Sequence, residues 1–128
     1  MTGHQDDTLA RLRELDAFDE WDPGDLEELA RVGDRLEIRD GTCLTRTGVP
    51  ARQAFLILAG MAARTGPRTD DVLRPGDLVC ELEPLTGEPA GATVRAAGDL
   101  IVLVLTATAV LRFRKLRAAA LGDRGERP

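Results

Sequence analysis

A mainly β fold with helices at both ends, a small jelly roll, is the architecture this sequence predicts. Three observations point to it. The 13 Gly and 7 Pro, many at punctuating positions, favour short strands and turns over a helical bundle. Short apolar runs closed by Gly recur through the middle of the chain. Helical spacing of apolar residues is confined to the two ends.

Taken in order, residues 1–7 read as a loose polar tail. From Thr8, the residues Leu9, Leu12, Leu15 and Phe18 fall at helical spacing. "WDPGDLEELARVG" carries a fuller set of helix signals. Asp22 can cap, Pro23 suits the first helical position, and Asp25, Glu27 and Glu28 favour its positive end. Leu26, Leu29 and Ala30 give it an apolar face, and Gly33 is a stop. "RLEIRDG", "TCLTRTG", "QAFLILAG" and "MAARTG" are short β runs. "DVLRPGD" ends in a turn, and "ATVRAAGDLIVLVLT" holds two more strands around Gly98 and Asp99. In "TATAVLRFRKLRAAAL", Val110, Phe113 and Leu116 share a helical face. One domain over residues 8–121 is expected, with a second loose tail over 122–128.

Composition excludes several functions. With 17 basic and 22 acidic residues the net charge is −5, whereas nucleic-acid binding needs a basic surface that displaces counterions. Aromatic residues are scarce, so Leu, Val, Ile and Ala must build the core. Cys43 and Cys80 lie far apart, and the single His4 sits in the polar N-terminal stretch. Neither a metal site nor a Ser/His/Asp or Cys/His catalytic set can be assembled from them. The paired acids Asp70-Asp71 and Glu27-Glu28 read as solvated positions, and Cys80 as a small buried hydrophobe. No apolar leader opens the chain, and "LIVLVL" is too short to span a bilayer. The expectation is a soluble cytoplasmic protein with free thiols, no enzyme, no cofactor, and no nucleic-acid or membrane partner.

Charge is unevenly distributed. Residues 5–34 carry eleven acids and three arginines, whereas residues 106–117 carry Arg112, Arg114, Lys115 and Arg117 with no acid. The terminal helical regions are therefore expected to lie close and compensate each other. A basic docking face for an acidic partner is the weaker reading.

The order of these elements, over about residues 9–117, resembles the cyclic nucleotide-binding domain family. "LRELDAFDEWDPGDLEELA" is similar to the family's opening helix, and "RDGTCLTRTG" to its Gly-spaced strand region. "AFLILAGMAAR" looks like its hairpin, with Gly60 at the turn. "LRPGDLVCELEPLTGEPAGATVRAAGDLIVLVL" looks like its phosphate-binding cassette and last strands. Gly41, Gly48, Gly60 and Gly76 stand at family-like intervals. The resemblance implies a double-stranded β-helix (jelly-roll) barrel that holds a cyclic nucleotide. In it, a cassette Glu accepts a ribose hydroxyl, while an Arg and a neighbouring hydroxyl residue hold the phosphate.

Against that pattern Glu81, Leu82, Ala92, Thr93, Val94 and Arg95 match. Three positions depart: Cys80 replaces Gly, Ala90 replaces Arg, and Gly91 replaces Ser or Thr. All three departures concern the phosphate. Burying an anion without a compensating cation costs several kcal/mol, and losing a charge-assisted contact forfeits about 1.5–3 kcal/mol. Glu81, with no cation expected opposite it, would repel a phosphate; otherwise it caps the following turn. Alternation from Ala92 through Val94 to Ala96 turns Arg95 to solvent. Arg64, Arg68 and Arg74 are the surrogate cations. The implied function is a non-catalytic regulatory or protein-interaction module that has lost cyclic-nucleotide binding. Its partner would be another protein, an enzyme among them, or a second copy forming a homodimer. The alternative is a divergent sensor of a cyclic nucleotide or other small ligand, using one of those arginines. Leu85 or Met61 filling the space above Glu81 would remove that alternative.

Overall fold

The structure, a computed structural model, describes the backbone of residues 2–126 and the side chains of residues 4–122. Among these residues eight strands form two four-stranded sheets. The first contains β1 (Asp34–Ile38), β3 (Ala54–Ala59), β6 (Leu78–Val79) and β8 (Leu100–Leu105), in the order β1-β8-β3-β6. The second contains β2 (Cys43–Thr45), β4 (Ala62–Gly66), β5 (Thr69–Leu73) and β7 (Thr93–Ala96), in the order β2-β7-β4-β5. Every pairing between these strands is antiparallel. Helices α1 (Thr2–Arg13), α2 (Pro23–Val32) and α4 (Ala107–Glu126) flank the sheets, and the single turn α3 (Glu83–Thr86) follows β6.

The runs "AFLILA" and "LIVLVL" are apolar throughout because the first sheet is covered on both faces. Along β3 and β8, Leu56, Leu58, Leu103 and Leu105 face the helices and join Leu12, Leu29, Val110 and Phe113 in one core. The alternate residues Ile57, Leu100, Val102 and Val104 face the second sheet and join Leu73, Val94 and Ala96 in another. Two-residue alternation thus serves two cores at once. Each fully buried Leu or Ile contributes about 1.5–3 kcal/mol. The few aromatics are concentrated rather than absent from the core. Phe18 packs edge-on to Trp21 at 5.0 Å, and Trp21 meets Phe113 at 5.6 Å, which pins α4 beside the end of the 3-10 turn Asp16–Phe18.

Four expectations need correction. First, the stretch around Gly60 is not a hairpin, since β3 and β4 belong to different sheets. Gly60 has φ +88°, and a Cβ there would stand 2.4 Å from the Asp99 carbonyl oxygen. It marks the crossing between layers, a conformation that needs glycine. The hairpin is β4–β5, in register from Ala62↔Leu73 to Gly66↔Thr69. Second, residues 2–7 are helical rather than loose. Asp7 accepts from Arg11 at 3.0 Å and from Arg35 at 2.7 Å, fastening α1 to β1. Third, α4 continues past Gly122 to Glu126; of the second expected tail, residues 127–128 lie outside the described residues. Fourth, Asp22 precedes α2 as expected, but its backbone carbonyl rather than its side chain accepts the first amides.

The remaining helical signals agree with the structure. Pro23 opens α2, Gly33 follows it, and Val110, Phe113 and Leu116 are buried on α4. Charge compensation between the ends is realised at Arg112, whose guanidinium binds Glu28 of α2, with one bond at 3.0 Å. Gly41, Gly48, Gly60 and Gly76 all have positive φ. Among the described residues, no helix is long and apolar enough to cross a membrane.

Candidate functional site

The segment from Cys80 to Ala92 joins β6 of the first sheet to β7 of the second. Pro84 lies in the first turn of α3, and Gly87 ends that turn in the left-handed region, φ +79°. The chain then returns through an isolated bridge between Pro50 and Pro89. Ala90 is fixed there by its backbone: its amide donates to the Val49 carbonyl, and its own carbonyl accepts from Gly48, both at 2.9 Å. The Ala90 side chain is buried.

Beside this segment lies an open cavity of about 320 Å³, lined by residues of both sheets and of the loop itself. Register and alternation account for its wall. In β4, Ala62 and Arg64 share the inward face, opposite Leu73 and Asp71 of β5; Val94 and Ala92 come from β7 and its approach. Arg95 is exposed, as alternation predicts. Neither Leu85 nor Met61 fills the cavity. Leu85 packs against the helical core, and Met61 is exposed at the surface, where its sulfur accepts from Arg74 at 3.6 Å.

Of the three surrogate arginines, the structure brings Arg64 to the cavity. Arg68 and Arg74 are exposed outside its wall. Arg64 is already engaged: Nε and Nη2 donate to the two Asp71 oxygens at 2.9 and 2.7 Å. This hydrogen-bonded pair holds the Asp71 carboxyl below its ordinary range and raises the guanidinium's affinity for its proton. Thr69 adds a 3.2 Å bond to Asp71. Asp71, expected to be a solvated position, is exposed and is also the partner of the cavity's arginine.

Glu81 carries the largest correction. It does not stand without a cation; its carboxylate turns to α4 and is bound by both Arg114 and Arg117, with Arg117 Nη1 donating to Oε1 at 3.1 Å. The bond from Arg117 is the main reason its carboxyl sits below the ordinary value. Arg117 also lies over the Phe113 ring at 5.1 Å, a cation–π contact. Two of the arginines expected to face the acidic N-terminal helices thus go to the cassette. Leu82, beside Glu81, is exposed.

Cys80 adopts φ +59°, a left-handed conformation in which a glycine would be unstrained. Its thiol lines the cavity, and burial, reinforced by the Glu83 carboxylate and opposed by a hydrogen bond with Thr45, pushes its pKa up to about 11. It is therefore a protonated thiol at neutral pH, unsuited to nucleophilic chemistry. Gly91 and Ala92 also face the cavity, and a Cβ at Gly91 would meet nothing within 4 Å. Glu83, to which the sequence reading gave no role, is a further lining residue. The signals that could have found these groups are modest: Arg64 and Asp71 face each other across a short turn, and Glu83 stands two residues after Glu81, the residue that the resemblance matches to the cassette Glu.

The model of the family described as "Cyclic nucleotide-binding domain" matches residues 35–116. The chain belongs to this family. Solved structures similar to it include three larger proteins. An arginine-to-lysine mutant of a cAMP-binding acyltransferase from Mycobacterium smegmatis is 30% identical, with a TM-score of 0.68, covering 86% of this chain and 36% of that one. The regulatory subunit of a cAMP-independent protein kinase A from Trypanosoma cruzi, bound to guanosine, is 21% identical with a TM-score of 0.68. The shares covered are 98% and 44%. The corresponding Trypanosoma brucei subunit, as a triple mutant bound to cAMP in its A site, is 22% identical with a TM-score of 0.70, covering 98% and 46%. In that mutant a glutamate becomes alanine and, seven and eight positions later, a threonine becomes arginine and a valine alanine. The chain thus spans less than half the length of each of these three proteins. The comparison with curated protein sequences gives no match.

Proposed function

We propose that this chain is a non-catalytic regulatory or protein-interaction module, on a jelly-roll scaffold, that has lost cyclic-nucleotide binding. One observation carries the reading. Arg64, the cation among the described residues lining the cassette cavity, is committed to Asp71 through two hydrogen bonds. Ala90 stands where the family's phosphate-binding arginine is expected, so a phosphate entering the cavity would meet a neutralised arginine and the Glu83 carboxylate. Desolvating an anion there costs several kcal/mol with little returned.

The Trypanosoma brucei substitutions support the same reading. Glu83, Ala90 and Gly91 stand at the spacing of the three positions changed in the cAMP-bound mutant of a cAMP-independent kinase subunit. The state being regulated is that of a partner protein, or of a second copy of this chain, in the cytoplasm. The alternative, a divergent sensor that holds an anion with Arg64, draws on the open cavity and requires Asp71 to release its partner.

Calorimetry with cAMP and cGMP tests the proposal. No heat of binding is expected up to millimolar ligand; micromolar affinity for either would overturn it. The triple change Glu83→Ala, Ala90→Arg and Gly91→Ala supplies the positive control. Gly91 has room for its methyl group, and the new arginine should bring cyclic-nucleotide binding with it.

A further inference from the structure

We propose that a second cavity, beside the loop from β2 to β3, binds a small amphipathic carboxylate. Arg46 and Arg52 hold its charged head, and Leu44, Val49 and Phe55 cover its apolar body. The inference goes beyond the proposed function and stands whether or not the cassette binds a cyclic nucleotide.

The loop sets the two arginines. Arg46 follows β2, and Arg52 lies two residues before β3. Between them the chain turns back: the Val49 amide donates to the Arg46 carbonyl at 3.0 Å. Gly48, at φ +84°, supplies the positive φ that such a turn needs at its third residue. Gly48 and Val49 are in turn tied to Ala90 by the two 2.9 Å bonds described above. Arg46 and Arg52 thereby line one cavity of about 290 Å³, which shares only Thr45 with the cassette cavity.

Charge singles this cavity out. In a chain of net charge −5, its wall carries two guanidinium groups and no carboxylate. Among the described residues six other arginines are ion-paired, whereas no carboxylate lies within ion-pair distance of Arg46 or Arg52. The remaining polar side chains of the wall are a thiol, a hydroxyl and an amide. The Cys43 thiol donates to the Thr45 carbonyl and the Thr45 hydroxyl to the Ala92 carbonyl, both at 3.0 Å. Gln53 can donate or accept. Backbone carbonyls add acceptors, but nothing in the wall offsets the two positive charges.

A bare inorganic anion would use only half of this wall. Leu44 and Phe55 are partly buried where they pack on the core between the sheets, and Val49 is 48% exposed. Covering them removes apolar surface from water, a gain open only to a ligand with an apolar body beside its charge. Guanidinium suits the other half, because its planar fork matches the two oxygens of a carboxylate. An apolar lining with a few oriented polar groups is the usual make-up of a small-ligand site. The volume stands at the lower limit for such sites, about 300 Å³, which suits a small acid.

The test is titration of the full, isotope-labelled chain with octanoate, read by amide chemical shifts, beside acetate, inorganic phosphate and octanol. Octanoate should saturate with submillimolar affinity and move the amides of residues 44–55. Acetate and phosphate lack the apolar body and octanol lacks the charge, so each should bind at least about tenfold more weakly. Arg46→Gln and Arg52→Gln should each weaken octanoate by about tenfold, the loss of a charge-assisted hydrogen bond. Both positions are exposed, so the melting curves should stay close to the parent's. Arg68→Gln removes an exposed arginine outside the cavity and should leave octanoate affinity unchanged. No octanoate binding at millimolar concentration, or shifts centred outside residues 44–55, would overturn the inference. So would acetate, phosphate or octanol binding as tightly as octanoate, unchanged affinity in either cavity variant, or an equal loss in Arg68→Gln. None of these results bears on the cassette, whose reading is decided by cAMP and cGMP.

Discussion

Two arginine–carboxylate sites flank the cassette, and they do different work. At the first, Glu81 is held by Arg114 and Arg117, residues 33 and 36 positions away on another element. At the second, Arg64 is held by Asp71, its register partner on the adjacent strand. The β4–β5 ladder would bring Arg64 and Asp71 together with or without their charges. By contrast, the Glu81 cluster joins elements that no backbone ladder connects, so its charges help to dock α4 on the cassette. The Asp71 pair instead neutralises the arginine that lines the cavity. A glutamate and an arginine that the resemblance would set around one cyclic nucleotide, at its ribose and its phosphate, are each paired with a different residue in this molecule.

Removing the first site should have the largest effect on stability. Glu81→Ala leaves two guanidinium groups side by side without their counter-charge. The Glu81 side chain is 24% exposed and those of its partners 41% and 35%, so solvent moderates the loss to about 1–2 kcal/mol. Urea unfolding measures that loss. Hydrogen exchange locates it, with faster exchange expected in α4 around Phe113–Leu116 and little change in β8. Equal protection of α4 in parent and variant would mean the cluster does not dock the helix. The pH dependence has a definite sign. The folded carboxyl of Glu81 lies below its ordinary 4.5, so the charged form is the one folding favours. Its contribution is complete above pH 4.5 and is lost as pH falls through the depressed folded value. Glu81→Gln should flatten that part of the acid-unfolding curve.

These effects turn on residues of unequal legibility. The scaffold could be read from the chain because its signals are local: helical spacing in Leu26, Leu29 and Ala30, Gly at positions that need positive φ, and continuous apolar strands. Which sheet each strand joins was not local. Gly60 suggests a tight turn in either topology, and only the approach of Asp99 from distant sequence makes it a crossing between layers. In the cassette, the sequence places Ala90 where the resemblance expects an arginine. The fate of Glu81 was not legible, because its partners lie a whole element away and depend on how α4 packs through Phe113. Asp71 was missed for a different reason: the apolar pattern of β4 and β5 is too weak to fix their register. Glu83 was passed over because the motif read from the resemblance assigns it no role.

A smaller effect separates the backbone of the cassette from its charges. At most buried positions Gly is less stable than Ala, since it has more unfolded-chain freedom to lose. At Cys80 the order should invert. With φ at +59°, any side chain carries a left-handed penalty of about 1–2 kcal/mol. Cys80→Gly should therefore exceed Cys80→Ala in stability by about 1 kcal/mol in urea unfolding, once the extra chain entropy of Gly is subtracted. The usual order, Ala above Gly, would mean the loop relaxes around the substitution. In the parent protein, alkylation of Cys80 should stay slow at neutral pH and accelerate only as pH approaches 11, read by peptide mapping.

Asp71→Asn should change stability least and cavity chemistry most. The Arg64 side chain is 36% exposed and that of Asp71 46%, and exposed pairs contribute about 0–1 kcal/mol. The adjacent ladder bonds remain, so the melting curve should barely move. What changes is the charge left facing the cavity, where Arg64 keeps its place on β4 without its counter-ion. An anion such as phosphate or cAMP should then bind weakly, in the millimolar range, and be displaced as salt screens the contact. Combining Asp71→Asn with Glu83→Ala removes the remaining carboxylate and should tighten anion binding further, by an amount that exceeds the effect of either change alone. If neither variant gains anion affinity, pairing with Asp71 is not what keeps Arg64 from holding an anion, and the proposed loss of phosphate binding must rest on the geometry around Ala90 instead.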